Sequence, residues 1–306
     1  MFLFATVALW AFTGNLRAQI FVSSAGNNTI MQFTPGGVGS VFASTGLSAP
    51  RGLAFDSGGN LFVANESNNT IMRFTPGGVG SVFASGGLLS SPVGLAFDSS
   101  GYLYVVNRGA NMIEIFTPGG IGSVFGDSTY ALVNPRGLAI DSAGNVYVSS
   151  QGNDTIVRFT PGGVGSLFAA NPSANLASVY GLAFDSSGSL YAANNSNLVT
   201  GSTYNIVKFT SGGAGSVFAN TGSTVPVGLA FDLVSGTFYV ANTSGNFVEQ
   251  FTSAGAPSFF ASTGLSAPSF IAIQTSAIPE PSSYAAFVGL AACVLALLKQ
   301  RHRRAV

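Results

Sequence analysis

One eleven-residue motif recurs six times along this chain. The stretch FTPGGVGSVFA covers residues 33–43 and returns unchanged at residues 74–84. Four related copies begin at Phe116, Phe159, Phe209 and Phe251. Successive Phe-Thr pairs are 41, 42, 43, 50 and 42 residues apart. A chain built from such similar units is expected to fold as a repeat protein, in which each unit packs against its neighbours.

Each repeat contains four short runs of β-forming residues. In the second copy they cover residues 52–55, 61–64, 70–74 and 80–84, and Gly, Asn and Asp residues separate them. These separators predict tight turns, because Gly supplies positive φ and the Asn and Asp side chains bond to nearby backbone. The repeat is therefore predicted to be a four-stranded antiparallel meander. Four strands in about 40 to 45 residues are typical of a β-propeller blade.

The distribution of the runs predicts how the ring closes. The second to fourth runs occur six times, but the first run is missing from the first repeat and returns in degenerate form, as FIAIQ, at Phe270. We therefore expect an all-β fold, a six-bladed β-propeller over residues 19–276, in which residues 269–274 pair beside residues 20–23. Phe33, Phe42 and their equivalents are expected to pack between blades.

The sequence also resembles a known repeat family. Residues 50–74, PRGLAFDSGGNLFVANESNNTIMRF, resemble the NHL repeat, and the resemblance extends over residues 19–274. It implies a propeller that binds protein or RNA, or has no known ligand. Related six-bladed lactonases hold a metal ion with Glu, Asn and Asp around the central opening. In this chain, the residues just before the innermost strands are Arg51, Val93, Arg136, Tyr180, Val227 and Ser269. None of them is acidic or an amide, so that metal site is not expected.

Cysteine and histidine usage restricts the chemistry further. Cys293 and His302 are the single Cys and His of the chain, and both follow the repeats. The repeats therefore contain no disulfide, no Ser-His-Asp triad and no His-ligated metal, and they lack the histidine on which streptogramin-lyase-like propellers rely. We expect no metal and no cofactor.

The N-terminal segment predicts export. Residues 1–18 combine an apolar run at residues 2–12 with a small residue, Ala18, at the expected cleavage position, which is the layout of a signal peptide. No basic residue precedes the apolar run. An uncleaved anchor or a buried first strand therefore stays open as an alternative.

The C-terminal segment, residues 277–306, contains a second targeting pattern. An apolar span at residues 282–298 is long enough for a short membrane helix, and a basic tail at residues 299–304 follows it. Immediately before the span lies a short motif made of Pro279, Glu280, Pro281 and Ser282.

This arrangement resembles the PEP-CTERM sorting signal of bacteria that make exopolysaccharide. The resemblance implies an exosortase-type membrane protease as a partner, membrane attachment before processing, and a location in the cell envelope or, after processing, the extracellular matrix. An ordinary C-terminal anchor is the alternative.

Charge argues against a nucleic-acid partner. Only 7% of the residues are charged, and residues 19–278 contain ten acidic and six basic residues, a net charge of −4. Phosphate recognition needs clustered Lys and Arg. Five repeated carboxylates are predicted to cap turn amides rather than to bind metal: Asp56, Asp98, Asp141, Asp185 and Asp232.

Loop lengths predict a binding face. The connections on one face keep nearly constant lengths, whereas those on the other face vary; the segment from Asn194 to Phe209 spans fifteen residues where the other blades have nine. Insertions gathered on one face often mark the binding face of a repeat protein. The candidate binding residues there are Arg51, Arg136, Tyr180, Tyr130 and Tyr204. Alternatively, the two arginines only pack along the channel wall and Tyr180 fills it.

The sequence favours an exported, non-catalytic binding or structural propeller that recognises a glycan or a protein. One alternative is a hydrolase or lyase that uses carboxylates outside the repeated turn, no two of which are expected at equivalent positions that would promise a facing pair: Glu66, Glu114, Asp127, Asp154 and Glu249. Another is a matrix protein without a specific ligand, whose low charge favours self-association.

Overall fold

The computed structural model describes residues 18–171, 176–195, 204–222 and 224–274. Within these ranges, 24 strands form six four-stranded antiparallel sheets, the blades of a β-propeller. The predicted signal peptide, the apolar span at residues 282–298 and the motif around Pro279 lie outside the described residues, apart from Ala18.

The strands follow the repeats in order. Blade 1 contains β1 (Gln19–Ser24), β2 (Thr29–Phe33) and β3 (Gly39–Ala43). Blade 2 contains β4 (Pro50–Phe55), β5 (Leu61–Asn65), β6 (Thr70–Phe74) and β7 (Gly80–Ser85). Blade 3 contains β8 (Pro92–Phe97), β9 (Leu103–Asn107), β10 (Met112–Phe116) and β11 (Gly122–Gly126). Blade 4 contains β12 (Pro135–Ile140), β13 (Val146–Ser150), β14 (Thr155–Phe159) and β15 (Gly165–Ala170). Blade 5 contains β16 (Val179–Phe184), β17 (Leu190–Asn194), β18 (Asn205–Phe209) and β19 (Gly215–Asn220). Blade 6 contains β20 (Pro226–Phe231), β21 (Phe238–Asn242), β22 (Phe247–Phe251) and β23 (Pro257–Ala261). The last strand is β24 (Pro268–Gln274).

The last strand closes the ring. β24 pairs antiparallel with β1, so that Ile20 lies opposite Ile273 and Val22 opposite Ile271. The strand order of this sheet is β24-β1-β2-β3, which gives blade 1 its innermost strand from the other end of the chain. β24 also contacts β4 and β20, the inner strands of the two adjacent blades. The predicted six-bladed closure is confirmed.

The hydrophobic core lies between the blades. Each of six buried clusters in the described residues joins side chains from two adjacent blades. Phe21 and Ile30 of blade 1, for example, belong to the same cluster as Leu61 and Phe74 of blade 2. A single twisted sheet cannot bury both of its faces, and radial stacking gives each face a partner.

The phenylalanines of the eleven-residue motif form the contacts between blades. Phe33 and Phe74, which end the third strands of their blades, are fully buried. Phe42 on the fourth strand of blade 1 reaches Phe74 of blade 2, with ring centroids 6.2 Å apart in an edge arrangement. Phe260 makes the equivalent contact with Phe33 at 5.9 Å. The predicted packing of these residues between blades is confirmed.

The repeated aspartates have the predicted structural role. Asp56 follows the first strand of blade 2, where its Oδ1 accepts a hydrogen bond from the Asn60 amide at 2.8 Å. Its Oδ2 accepts a second bond from Asn60 Nδ2 at 2.8 Å. Asp141 makes the same pair of bonds with Asn145. These carboxylates hold tight turns on the face with constant loop lengths.

The inner strands approach one another closely around the axis. A Cβ atom built on Gly181 of β16 would lie 2.5 Å from the Val227 carbonyl oxygen of β20 and 3.1 Å from Gly228 Cα. Gly137 of β12 has the same relation to the Tyr180 carbonyl oxygen, at 2.5 Å. Glycine is therefore required at Gly137 and Gly181, since real Cβ atoms do not tolerate such contacts.

The outer rim of the ring is apolar. The fourth strand of each blade exposes one large apolar residue at an equivalent position: Val41, Val82, Val124, Leu167, Val217 and Phe259. Their exposed fractions range from 48% to 66%. No charged residue occurs in any of these six edge strands.

In the part of the chain that the structure describes, no helix is both long and apolar enough to cross a membrane.

Candidate functional site

Two positions in each blade meet at one end of the central channel. The first position immediately precedes the closely packed inner-strand residue, and it holds Arg51, Val93, Arg136, Tyr180, Val227 and Ser269. The second position follows the second strand, and it holds Ala25, Glu66, Arg108, Gln151, Asn195 and Thr243. Members of both sets line one cavity of about 670 Å³. Because its lining comes from blades 2 to 6, the cavity lies on the ring axis; we call it the mouth cavity.

A β-bulge positions the first set. In blade 2 the pairing of β4 with β5 shifts register between Pro50 and Leu53, which places Arg51 and Gly52 within the bulge. Blades 4 and 5 show the same shift at their inner strands. A bulge bends its strand and redirects a side chain. Here it brings Arg51 to the cavity wall.

One carboxylate joins two arginines in the mouth cavity. Arg51 Nε donates to Glu66 Oε2 at 2.6 Å, and Arg108 Nη2 forms an ion pair with Glu66 Oε1. Arg51 Nη1 also donates to the Ser269 hydroxyl at 2.6 Å. The Glu66 side chain is only 11% exposed, whereas those of Arg51 and Arg108 are 29% and 31% exposed. Both arginine side chains are therefore partly exposed, and both line the cavity.

A third arginine stacks on a tyrosine. The guanidinium carbon of Arg136 lies 5.0 Å from the centroid of the Tyr180 ring, within the range of a cation–π interaction. Arg136 Nε donates to Gln151 Oε1 at 2.8 Å, and Gln151 Nε2 donates to the Tyr180 hydroxyl at 3.1 Å. These contacts fix the orientation of the Arg136 side chain. Among the described residues, no acceptor pairs with its two Nη atoms.

The pKa of Arg136 depends on its burial and on the groups around it. Burial lowers the pKa of Arg136 from its usual value. The electrostatic effects of Tyr180 and Glu66 oppose this shift, and the charges of Arg108 and Arg51 add to it. An arginine stays charged in a protein regardless of such a shift. The mouth cavity thus contains three positive charges and one negative charge among the residues named here.

This charge arrangement is unusual for the chain. Residues 19–278 contain six basic residues in a segment of net charge −4, and three of the six lie at the mouth cavity. The repeat does not require them, because the equivalent positions in other blades hold Val93, Val227 and Ala25. Such a local excess of positive charge favours an anionic ligand.

The loops around the cavity are held by buried asparagines. Asn65, which ends β5, is fully buried. Its Nδ2 donates to the Gly46 carbonyl at 2.8 Å and to the Thr70 hydroxyl at 3.0 Å, and its Oδ1 accepts from the Ser48 amide at 3.1 Å. One side chain therefore joins the connection between blades to the loop that carries Glu66.

The structure brings three of the five predicted binding residues together. Arg51, Arg136 and Tyr180 all line the mouth cavity. Tyr130 instead packs on Phe159, with ring centroids 5.3 Å apart. It ends a short 3₁₀ turn, Ser128–Tyr130, and its ring packs against the apolar cluster between blades 3 and 4.

Tyr204 lies beside the long insertion of blade 5. Its side chain is half-buried, and its carbonyl oxygen accepts from the Thr221 amide at 2.9 Å. Most of that insertion, residues 196–203, lies outside the described residues.

Sequence reasoning missed Arg108 and Gln151 as part of the site. Both follow a second strand, at the same position as Glu66. The signal available in the sequence was variation: this position differs in every repeat, although the preceding residue is Asn or Ser in all six. A variable position next to one that is restricted to Asn or Ser indicates a side chain that the fold itself does not require.

The other carboxylates proposed for catalysis have structural partners. Asp127 Oδ1 accepts hydrogen bonds from the Thr129 hydroxyl at 2.6 Å and from the Thr129 amide at 2.9 Å. These two bonds, the hydroxyl bond first, hold the pKa of Asp127 below its usual value. Asp154 Oδ1 accepts from the Ser178 amide at 2.5 Å. Both therefore cap backbone amides in the loops of the variable face.

Two of these carboxylates do occupy equivalent positions, which was not expected. Glu114 and Glu249 are each the third residue of a third strand. Glu114 accepts from Asn107 Nδ2 at 2.9 Å, and Glu249 accepts from Asn242 Nδ2 at 3.3 Å. Desolvation by burial raises the pKa of both carboxyl groups, against the lowering effect of these bonds. They belong to blades 3 and 6, on opposite sides of the ring, so they form no facing pair.

Across the described ranges, no three His, Cys, Asp or Glu side chains gather in a way that could hold a metal ion.

Comparison by sequence identifies no relative. No protein-family model matches the chain, and no curated protein sequence matches it.

Comparison with solved structures identifies many similar chains. A chain from the crystal structure of a nidogen/laminin complex superposes with a TM-score of 0.71 at 20% identity, covering 84% of this chain and 98% of that chain. A gluconolactonase from Xanthomonas campestris gives a TM-score of 0.64 at 17% identity, covering 81% and 84%. A catalytically inactive virginiamycin B lyase from Staphylococcus aureus, with quinupristin, gives 0.60 at 16% identity, covering 86% and 94%.

These neighbours include proteins named for binding and proteins named for catalysis, so at such identities they establish the fold and leave the activity open. On its strand topology, its repeats and these similarities, the chain is a six-bladed β-propeller.

Proposed function

We propose that this protein is an exported, non-catalytic binding propeller that holds an extracellular glycan or protein at the mouth cavity. The observation that carries the proposal is the convergence of Arg51, Arg108 and Arg136, with Tyr180, at the axial end of a fold whose repeats do not require them. Recognition sites commonly use Arg and Tyr in this way. The varied connections of the same face supply further contacts around the cavity.

The proposed location rests on sequence alone. The apolar run at residues 2–12 supports export, and the motif Pro279-Glu280-Pro281 before an apolar span and a basic tail supports sorting to the cell envelope. An exosortase-type protease would recognise this motif. The propeller would then act at the envelope or in an exopolysaccharide matrix.

The test is a glycan and peptide array probed with residues 19–277. We expect binding of at least one class of ligand, and we expect Arg136→Ala to reduce that binding. Tyr204→Ala should also reduce binding if the ligand reaches the blade 5 insertion. Val79→Ser, in the exposed hairpin of the opposite face, should leave binding unchanged. Binding that is insensitive to Arg136→Ala but lost in Val79→Ser would place the ligand on the opposite face and overturn the proposal.

A structural role is the second candidate, because the outer rim is apolar. Six uncharged edge strands each expose a Val, Leu or Phe, and exposed edges of this kind can pair with other chains. Self-association would then be the function, with no specific ligand. It predicts oligomers in sedimentation velocity that Val41→Lys and Leu167→Lys disrupt, whereas a concentration-independent monomer would argue against it.

Catalysis is a further alternative, favoured by the structural similarity to a gluconolactonase and to a lyase. Glu66 is the carboxylate that lines the mouth cavity. An enzyme would show turnover of a lactone, ester or glycan, and Glu66→Gln would abolish the rate rather than the affinity. A metal-content measurement on the purified protein would accompany this assay.

A further inference from the structure

The charged residues of the mouth cavity indicate the charge of its ligand. We infer that it binds an acidic saccharide, whose carboxylate is held by Arg108 and Arg136. This inference rests on the proposed function, because it names the ligand class of the same site.

The mouth cavity contains positive charge that no carboxylate balances. Glu66 is shared between Arg51 and Arg108, and the described residues include no carboxylate within ion-pair distance of Arg136. Three guanidinium groups and one carboxylate leave two positive charges in excess. A fixed excess at a partly enclosed site attracts anions more strongly than the same charges spread over a surface.

Two arginines of the mouth cavity have hydrogen-bond donors without acceptors. Arg108 Nε is buried and has no hydrogen-bond partner in the described part of the chain. A buried donor without an acceptor is costly, and such a group in a folded protein calls for an explanation. Arg136 also has two Nη atoms for which the described residues provide no acceptor. A carboxylate in the cavity would accept hydrogen bonds from both guanidinium groups.

The same two arginines are pre-organised for a ligand. Arg108 is held by its ion pair with Glu66, and Arg136 is held by Gln151 and by the face of the Tyr180 ring. Planar guanidinium groups match a carboxylate in a two-pronged geometry. Side chains already fixed in position lose little conformational freedom when the ligand binds.

The lining of the mouth cavity favours a saccharide over an acidic peptide. Beside the charged residues, the wall of the cavity presents short hydroxyl and amide side chains: Ser67, Asn69, Ser91 and Thr243. The apolar contribution to the wall comes from Val225 and Val227. This wall offers hydrogen bonds to hydroxyl groups but no deep apolar pocket for a peptide anchor. A volume of about 670 Å³ falls in the range of small-ligand sites and could admit a short sugar segment.

The experiment compares two forms of one oligosaccharide. Tetragalacturonate and its full methyl ester have the same sugar rings and differ in charge, and each is titrated calorimetrically into residues 19–277. We expect the acid to bind and the ester to bind about tenfold more weakly or not at all. Raising NaCl from about 0.05 M to about 0.5 M should weaken binding of the acid, because the shorter Debye length screens the attraction.

Variants assign the effect to the arginines. Arg136→Gln and Arg108→Gln should each weaken binding of the acid by about tenfold. Arg73→Gln removes an exposed arginine of β6 that does not line the mouth cavity, and it should bind as wild type does. Thermal melts of all three variants identify any that fail to fold. If Arg136→Gln does not fold, Arg136→Lys, which keeps the charge but not the planar fork, should weaken binding by a smaller factor.

The outcomes separate this inference from the proposed function. Equal binding of the acid and the ester, or wild-type affinity in both Arg136→Gln and Arg108→Gln, would overturn the anion assignment. A single-stranded oligonucleotide that binds as tightly as the acid would overturn the assignment to a saccharide. If the array instead gives a neutral ligand that requires the mouth cavity, the proposed function stands and this inference fails. If no ligand of any class binds, both fail.

Discussion

The side chain of Asn28 bonds to the backbone of the next blade: its Oδ1 accepts a hydrogen bond from the Ala49 amide at 2.7 Å. Asn28 has a φ of 56° and Ala49 a φ of 45°, so both residues adopt the left-handed conformation at this junction. The same bond joins Asn69 to Ser91 at 2.7 Å, and in blade 4 an aspartate, Asp154, replaces the asparagine. These bonds hold adjacent blades together on the face that carries the mouth cavity.

Replacement of Asn28 should separate its two roles. Asn28→Gly keeps the left-handed backbone but removes the acceptor, and we expect it to lower the free energy of unfolding by about 1 kcal/mol. Asn28→Asp keeps both features and should be close to wild type, as Asp154 shows for the equivalent position. Denaturant unfolding of residues 19–277 measures both variants. Equal losses in the two variants would show that the side-chain acceptor is not what matters.

Removal of the closing strand should destabilise the whole ring. A chain that ends at residue 267 lacks β24, which exposes the edge of β1 and the inner faces that β24 covers in blades 2 and 6. We expect a large fall in thermal midpoint or loss of cooperative unfolding. The matched control ends at residue 274 and keeps β24 complete. If both truncations melt at the same temperature, ring closure by β24 does not contribute to stability.

Glu114 should make stability depend on pH. Burial raises its pKa above the usual 4.5, so the folded state binds its proton more tightly than the unfolded state. The resulting stabilisation is fully present below about pH 4.5 and is lost as pH rises through the raised pKa. Glu114→Gln, which cannot ionise, should therefore raise the thermal midpoint at neutral pH, by roughly 2 to 4 °C per kcal/mol in a domain of this size.

The gain from Glu114→Gln should shrink as pH falls toward 4.5, the usual pKa of the group. Glu249 has a pKa raised in the same direction, so Glu249→Gln serves as the parallel variant and the double variant should show the sum. A stability difference between wild type and Glu114→Gln that stays constant across this pH range would contradict the assignment.

Sorting should depend on the motif rather than on the apolar span. Replacement of Pro279, Glu280 and Pro281 by Ala leaves residues 282–298 and the basic tail intact. We expect export to continue while an unprocessed, membrane-held form accumulates, as seen by intact mass and membrane fractionation in a host with the matching protease. Identical mass and distribution of mutant and wild type would point to an ordinary anchor.

The repeat made most of the fold predictable, because each copy confirms the others. The turn at Asp56, the inter-blade contact of Phe42 and the closure by Phe270 and its neighbours all follow from comparing copies. The candidate site was less predictable for the same reason. Its residues are the ones that differ between copies, and a departure from the pattern does not show where a side chain points.

Tyr130 and Arg108 illustrate this limit. Both occupy loops of the variable face, and loop length suggested an exposed Tyr130. The insertion instead folds into a 3₁₀ turn that brings Tyr130 onto Phe159, a tertiary contact invisible in the pattern. Arg108 lies in a loop of ordinary length, and only the meeting of blades 2 and 3 near the axis places it beside Glu66.

Hydrogen–deuterium exchange with the best array ligand tests the central claim most directly. Residues 19–277 are compared with and without that ligand at saturating concentration. The account predicts slower exchange in peptides containing Arg51, Glu66, Arg108 and Arg136, and unchanged exchange in the hairpins of the opposite face, such as the one containing Val79. Protection confined to those hairpins, or to the outer edge strands, would contradict a binding site at the mouth cavity.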